Sequence, residues 1–89
     1  MTICKRVYYS GRVQGVGFRY TAQDLAQGFA VAGYVRNLPN GDVELVAEGE
    51  STEVEAFLRA VGDRMGHYIE ATRAQDLPPS GWQGFHIRH

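Results

Sequence analysis

The order of two hydrophobic periodicities along the chain limits the fold more than any other feature. Residues 3–10 are rich in Val and Tyr and indicate a strand, whereas the apolar side chains from Phe18 to Phe29 recur at helical spacing. Two further strands are predicted over residues 31–37 and 43–48. The Asn40-Gly41 pair between them is typical of a hairpin turn.

The second half of the chain continues the alternation with a helix and two strands. Ser51 or Thr52 is expected to cap the helix, whose apolar stripe is Val54, Phe57, Leu58, Val61 and Met65. Ile69–Ala74 predicts a fourth strand, and Phe85–Arg88 a short last one. The order is βαββαβ plus a terminal strand. We therefore expect an α+β, ferredoxin-like split βαβ sandwich, with an antiparallel sheet and two helices on one face.

The length and the net charge of the chain limit its expected domain number and binding partners. A chain of 89 residues predicts one domain, residues 1–89, because two hydrophobic cores do not fit in this length. The net charge of -1 does not favour binding to nucleic acid or to a membrane surface. Cys4 is the only cysteine, so no internal disulfide forms, and we expect a reducing, cytoplasmic location. No apolar run reaches the roughly 20 residues of a membrane-spanning helix.

Topology brings distant segments to one end of this predicted fold. In a βαβ unit the two strands are parallel, so the chain leaves both strands at the same edge of the sheet. The loop at residues 11–17 and the hairpin after Asn37 are therefore expected to lie together, and the segment from Gly66 to Tyr68 with them. Any site that combines the loop with Asn37 is predicted at this end.

The loop itself has the composition of an anion-binding turn. Three glycines within residues 11–17 free the backbone to turn its N–H groups inward, and a helix N-terminus adds further N–H groups. Arg19 follows in the first helical turn, where its planar fork matches phosphate oxygens. A cation is unfavourable at this position unless an anion binds beside it. Taken alone, the pattern is equally compatible with a glycine turn beside a solvated arginine.

Three motifs in the chain resemble those of one known protein family. The segment from Gly11 to Arg19 (Gly-Arg-Val-Gln-Gly-Val-Gly-Phe-Arg) resembles the signature of the acylphosphatase family. Gly33-Tyr-Val-Arg-Asn37, followed by Gly41-Asp-Val-Glu44, is similar to the second motif of that family. The segment 80–87 is similar to its C-terminal part. The resemblance spans essentially the whole chain.

The resemblance implies an enzyme that hydrolyses the carboxyl–phosphate bond of acyl phosphates with no cofactor and no metal. It implies Arg19 and Asn37 as catalytic residues: the arginine holds the phosphate and the asparagine orients the attacking water. The phosphate-binding loop would comprise Gly11, Arg12, Val13, Gln14, Gly15, Val16, Gly17 and Phe18. Inorganic phosphate is the expected product and inhibitor, and the chain is expected to be a monomer. A non-catalytic anion-binding module on the same scaffold remains the alternative.

Other candidate sites carry weaker patterns. His67, His86 and His89 lack the cysteine or carboxylate partners that would complete a metal site. Cys4 has no activating base nearby in the sequence. Glutamates between positions 44 and 55 are interpreted as a solvated face and the first turn of a helix.

Overall fold

A computed structural model describes residues 1–89. The chain forms five strands and two α-helices, with a single 3-10 turn at Gly66–Tyr68. The elements are β1 (Thr2–Gly11), α1 (Phe18–Ala26), β2 (Val31–Asn37), β3 (Val43–Glu50), α2 (Ser51–Met65), β4 (Ile69–Leu77) and β5 (Phe85–Arg88). Neither helix combines the length and the hydropathy that crossing a membrane requires.

The strands form one sheet in the order β4-β1-β3-β2-β5. β3 lies antiparallel between β1 and β2, and β4 is antiparallel to β1. The ferredoxin-like α+β class is thus confirmed. The expectation of a wholly antiparallel sheet is wrong, because β5 pairs in parallel with β2. The physical reason is that the segment 78–84 carries the chain from one outer edge of the sheet to the other, where the last strand meets β2 running in the same direction.

Both helices pack on one face of the sheet, and the main core lies between them and the strands. Phe57 and Val61 of α2 are fully buried against Val35 and Leu45 of the central strands. Phe57 also packs edge-on to the ring of Phe85, with ring centroids 5.3 Å apart. Each large apolar side chain buried in this way contributes about 1.5–3 kcal/mol. This core holds the loops at one end of the sheet in place.

The segment 78–84 crosses part of the opposite face of the sheet, where two carboxylates that were expected in solvent are buried. Glu44 and Glu48 on β3 are only 4% and 6% exposed. Oε1 of Glu44 accepts hydrogen bonds from the Tyr34 hydroxyl at 2.9 Å and from Nε of Arg36 at 2.6 Å. Glu48 accepts backbone N–H groups of the crossing segment. The solvated-face interpretation is wrong for these two residues, because paired donors allow a carboxylate to be buried.

The start of α2 also differs from the expectation. Neither Ser51 nor Thr52 is its capping residue, since the helix begins at Ser51 directly after β3 and Glu50 occupies the cap position without a side-chain cap hydrogen bond. The Ser51 N–H instead donates to the carbonyl of Met1 at 3.0 Å. The Met1 carbonyl thus satisfies one of the N–H donors that the first turn of a helix leaves without an intrahelical partner.

Candidate active site

The loop between β1 and α1 is anchored in the core at both ends. The N–H of Arg12 donates to the carbonyl of Tyr68 at 2.9 Å, which ties the loop to the segment after α2. Val13 and Phe18 are 0% and 2% exposed, and the Phe18 ring lies 5.0 Å from that of Tyr9. The segment between these anchors is therefore held in one position by buried side chains.

Within the loop, two glycines adopt a backbone conformation that other residues reach only at a cost. Gly15 and Gly17 both have φ of +78°, in the left-handed region. A Cβ at either position would meet no atom within 4 Å, so the requirement for glycine comes from the backbone rather than from crowding. These reversals curve the main chain around a concavity, as the sequence predicts.

The N-terminus of α1 leaves its own N–H groups available. Gly17 is the capping residue and makes no side-chain cap hydrogen bond, and the first turn contains no acidic residue. The first helical bond runs from the N–H of Thr21 to the carbonyl of Gly17 at 3.0 Å. The helix end therefore presents unpaired donors and a partial positive charge next to Arg19.

Arg19 and Asn37 line the same cavity, although they belong to different elements. The first turn of α1 carries Arg19, and Asn37 is the last residue of β2, paired with Val43 of β3. Their cavity has a volume of about 230 Å³, and its other lining residues are Val13, Gly15, Gly17, Phe18 and Tyr20. It is smaller than the roughly 300–1,000 Å³ of sites that enclose drug-sized ligands. A small anion fits it better than a whole nucleotide does.

The structure separates the loop residues named from the sequence into two groups. Val13, Gly15, Gly17 and Phe18 line the cavity with Arg19 and Asn37, as expected of a loop that cradles an anion. Four others do not line it: Gly11, Arg12, Gln14 and Val16. Tyr20 lines the cavity and is 66% exposed. Sequence reasoning missed Tyr20 as a site residue, and its place in the first helical turn beside Arg19 was the available signal.

The guanidinium of Arg19 has one side chain within hydrogen-bonding distance. Its Nη1 lies 3.2 Å from Nδ1 of His89, and both side chains are accessible to solvent. No carboxylate lies within ion-pairing distance of Arg19, whereas Arg6 and Arg36 both lie within such a distance of Glu44. The positive charge of Arg19 is therefore not paired with a carboxylate of the protein and is available to an external anion.

A second, larger hollow lies on the other side of Tyr20, which lines both cavities. It has a volume of about 420 Å³ and lies beside α1, with Thr21, Asp24, Gln27 and Arg64 among its lining residues. It is open to solvent, and both an aspartate and an arginine are among its lining residues. It brings together neither the glycine loop nor Asn37. No group of three or more His, Cys, Asp or Glu residues in the chain is arranged to hold a metal ion.

The pKa values of the two buried glutamates are both lowered, but for different reasons. Burial alone would raise the pKa of Glu44, but hydrogen bonds from Arg36 and Tyr34 hold that pKa below its usual value. The backbone N–H of Ser80, assisted by those of Gly81 and Trp82, lowers the pKa of Glu48. Both carboxylates face away from the cavity. Their charges stabilise the sheet and the crossing segment.

Comparison with known proteins agrees with this geometry. The family model described as acylphosphatase matches residues 5–87. The chain belongs to the acylphosphatase family. An acylphosphatase from Methanospirillum hungatei is 42% identical over 81 residues, which are 89% of each chain. An acylphosphatase from Pseudomonas aeruginosa is 40% identical over 87 residues, covering 97% of this chain and 96% of that one.

A solved structure of an acylphosphatase family member has the same architecture. The crystal structure of acylphosphatase from Bacillus subtilis matches with a TM-score of 0.89 at 32% identity, and each chain is covered completely. The likeness therefore includes both the loop after β1 and the hairpin after β2. The family expected from the three sequence motifs is confirmed.

Proposed function

We propose that this acylphosphatase hydrolyses acyl phosphates to a carboxylate and inorganic phosphate at the cavity between the glycine loop and Asn37. The observation that carries the proposal is that Arg19 and Asn37, from different elements, line one small cavity with Gly15 and Gly17. Their chemistry is complementary to the two reactants, an anionic phosphoryl group and a water molecule.

The phosphoryl group binds to the loop amides and to Arg19. Phosphoryl transfer depends mainly on positioning and on stabilising the equatorial phosphate oxygens electrostatically. The proposed donors are the backbone N–H groups of the loop and of the first turn of α1, and the guanidinium adds two parallel donors and a full charge. The support for this role is that Arg19 has no carboxylate partner within the protein.

Asn37 orients the attacking water. Its side-chain amide both donates and accepts, so it can hold a water molecule through a lone pair and a hydrogen without removing a proton. The water oxygen attacks phosphorus in line with the departing acyl oxygen. The phosphorus–oxygen bond to the acyl group then breaks, and its electron pair leaves with the carboxylate.

The reaction needs no general acid in this cavity, because the leaving carboxylate is the conjugate base of an acid with a pKa of about 4. The proton of the attacking water passes to a phosphate oxygen of the substrate. We propose that no metal ion takes part. The cavity encloses the phosphate end only, so the acyl group projects toward solvent and is selected weakly.

Turnover of benzoyl phosphate tests the proposal. Loss of the acyl phosphate is followed with and without EDTA, and with increasing inorganic phosphate. We expect hydrolysis that is insensitive to the chelator and competitively inhibited by phosphate. Binding of phosphate without turnover would instead identify a non-catalytic anion-binding module. The monomeric state and the cytoplasmic location expected from the sequence stay predictions.

A further inference from the structure

Gln14 lies within the glycine loop, but its side chain is directed to the hairpin that follows Asn37. Its Nε2 donates to the carbonyl of Leu38 at 2.8 Å and to the carbonyl of Asp42 at 2.9 Å. Both neighbours are carbonyl oxygens, which only accept, so the amide nitrogen rather than the amide oxygen faces them. Each of the two amide hydrogens thus has its own acceptor.

The two acceptor carbonyls belong to a turn that also closes without Gln14. The N–H of Leu38 donates to the carbonyl of Asp42 at 2.8 Å, and the N–H of Gly41 donates to the carbonyl of Leu38 at 3.1 Å. Gln14 therefore adds nothing that the turn needs for its own shape. Its two bonds fix where the turn lies relative to the loop.

The neighbours of these bonds are the two halves of the proposed site. Gln14 stands between Val13, which is completely buried, and Gly15, which lines the cavity. Leu38 directly follows Asn37, which lines the same cavity. A shift of the turn relative to the loop would change the distance between the backbone amides of the loop and the side-chain amide of Asn37.

We infer that Gln14 is a positioning residue that holds the loop and the hairpin at the separation needed for one phosphoryl group and one water. This inference rests on the proposed function, since it concerns the same site. Gln14 touches neither reactant and acts through Asn37. Its loss should therefore reduce turnover far more than it reduces binding of phosphate, which depends on the loop amides and on Arg19.

The test compares Gln14→Met, which keeps the length and removes both donors, with Gln14→Asn, whose shorter amide cannot reach both carbonyls. Gln27→Met is the matched control, because Gln27 is exposed beyond the far end of α1. We expect either Gln14 variant to lower kcat for benzoyl phosphate roughly 10- to 100-fold, the effect typical of a misplaced reacting group. The inhibition constant of inorganic phosphate should change much less.

A double-mutant cycle separates positioning from general damage to the fold. In an Asn37→Ala background, Gln14→Met should lower kcat no further, because the group it positions is absent. Equal losses in both backgrounds, an unchanged kcat in the single variants, or a parallel weakening of phosphate inhibition would each overturn the inference. Those outcomes leave the proposed function intact if the parent protein turns over benzoyl phosphate. An inactive parent would overturn both.

Discussion

Asn37 ends β2 at the edge of the sheet where Arg19 lies in the first turn of α1, and the two residues line one cavity although they belong to separate elements. The βαβ connection produces this meeting, because its parallel strands both end at the same edge. Each residue can be changed without removing a core side chain. Their separate roles can therefore be measured.

Replacement of Arg19 by lysine tests the bidentate contact with phosphate. The ammonium keeps the charge but loses the planar fork. We expect kcat/KM for benzoyl phosphate to fall roughly 100- to 1,000-fold, as when one preorganised donor to a developing oxyanion is removed. Arg59→Lys, at an exposed position of α2, is the control and should behave as the parent. An Arg19→Lys variant with parental kcat/KM would contradict the role of the fork.

Removal of the Asn37 amide separates binding from chemistry. We expect Asn37→Ala to lower kcat by about 100-fold or more, because the attacking water loses its positioned partner. The inhibition constant of inorganic phosphate should stay close to the parental value, since Arg19 and the loop amides remain. Steady-state kinetics with phosphate as inhibitor measure both quantities. Weakened phosphate binding with an unchanged kcat would show that the amide binds phosphate instead.

Gly15→Ala tests the left-handed backbone of the loop. A residue with a Cβ at φ of +78° costs roughly 1–2 kcal/mol, so the variant should be less stable by this amount or should bind phosphate more weakly as the loop relaxes. Gly62→Ala, in the last turn of α2, is the matched control. That glycine has an ordinary φ and open space around its Cβ position, so alanine should stabilise the helix by about 0.5–1 kcal/mol. Urea unfolding of both variants, with phosphate titrations, checks the pair.

The lowered pKa of Glu48 predicts how the free energy of unfolding depends on pH. Its folded-state pKa is lowered below the ordinary value of 4.5, so the unfolded chain binds more protons around that pH. This contribution to stability is complete above about pH 5 and is lost as the pH falls through the lowered pKa. Ser80 donates to one carboxylate oxygen at 2.6 Å, and Gly81 and Trp82 donate to the other at 2.9 and 3.1 Å.

Glu48→Gln should therefore destabilise the protein at pH 7 by about 1–3 kcal/mol, because an amide has a single oxygen for these donors. The difference from the parent should shrink as the pH falls through the lowered pKa of Glu48, because the parent carboxylate then takes up a proton as well. Urea unfolding between pH 7 and pH 3 measures it. Glu55→Gln, at an exposed position of α2, serves as control. A difference that grew on acidification would reverse the assigned sign.

The sequence was sufficient for the order of elements, because hydrophobic periodicity carries that information. Its motifs also singled out Arg19 and Asn37, which line one cavity and whose catalytic roles stay predictions. It was not sufficient for features that depend on contacts between distant segments. Glu44 and Glu48 alternate with apolar residues and so resemble solvent-facing positions, yet Tyr34 and the segment 78–84 cover them. β4 extends to Leu77 because its pairing with Cys4 continues beyond the patterned part of the strand.

The role of Gln14 was hidden for a similar reason. As a loop residue between glycines it resembles any other member of an anion-binding turn, and its acceptors lie 24 and 28 residues further along the chain. The parallel pairing of β5 likewise depends on where a crossing segment leads. Only the folded arrangement shows which loop residues line the cavity and which contact the hairpin.

The outer position of β4 has a consequence for how copies of the molecule meet. One long side of this nine-residue strand has no neighbouring strand, and such an edge can template pairing with another chain. Glu70, Arg73 and Asp76 distribute charge along it, and Asp76 forms an ion pair with Lys5 at 2.9 Å. A second edge docking there would have to bury these charges. Charges on an outer strand therefore oppose the pairing of β4 with an edge strand of another copy.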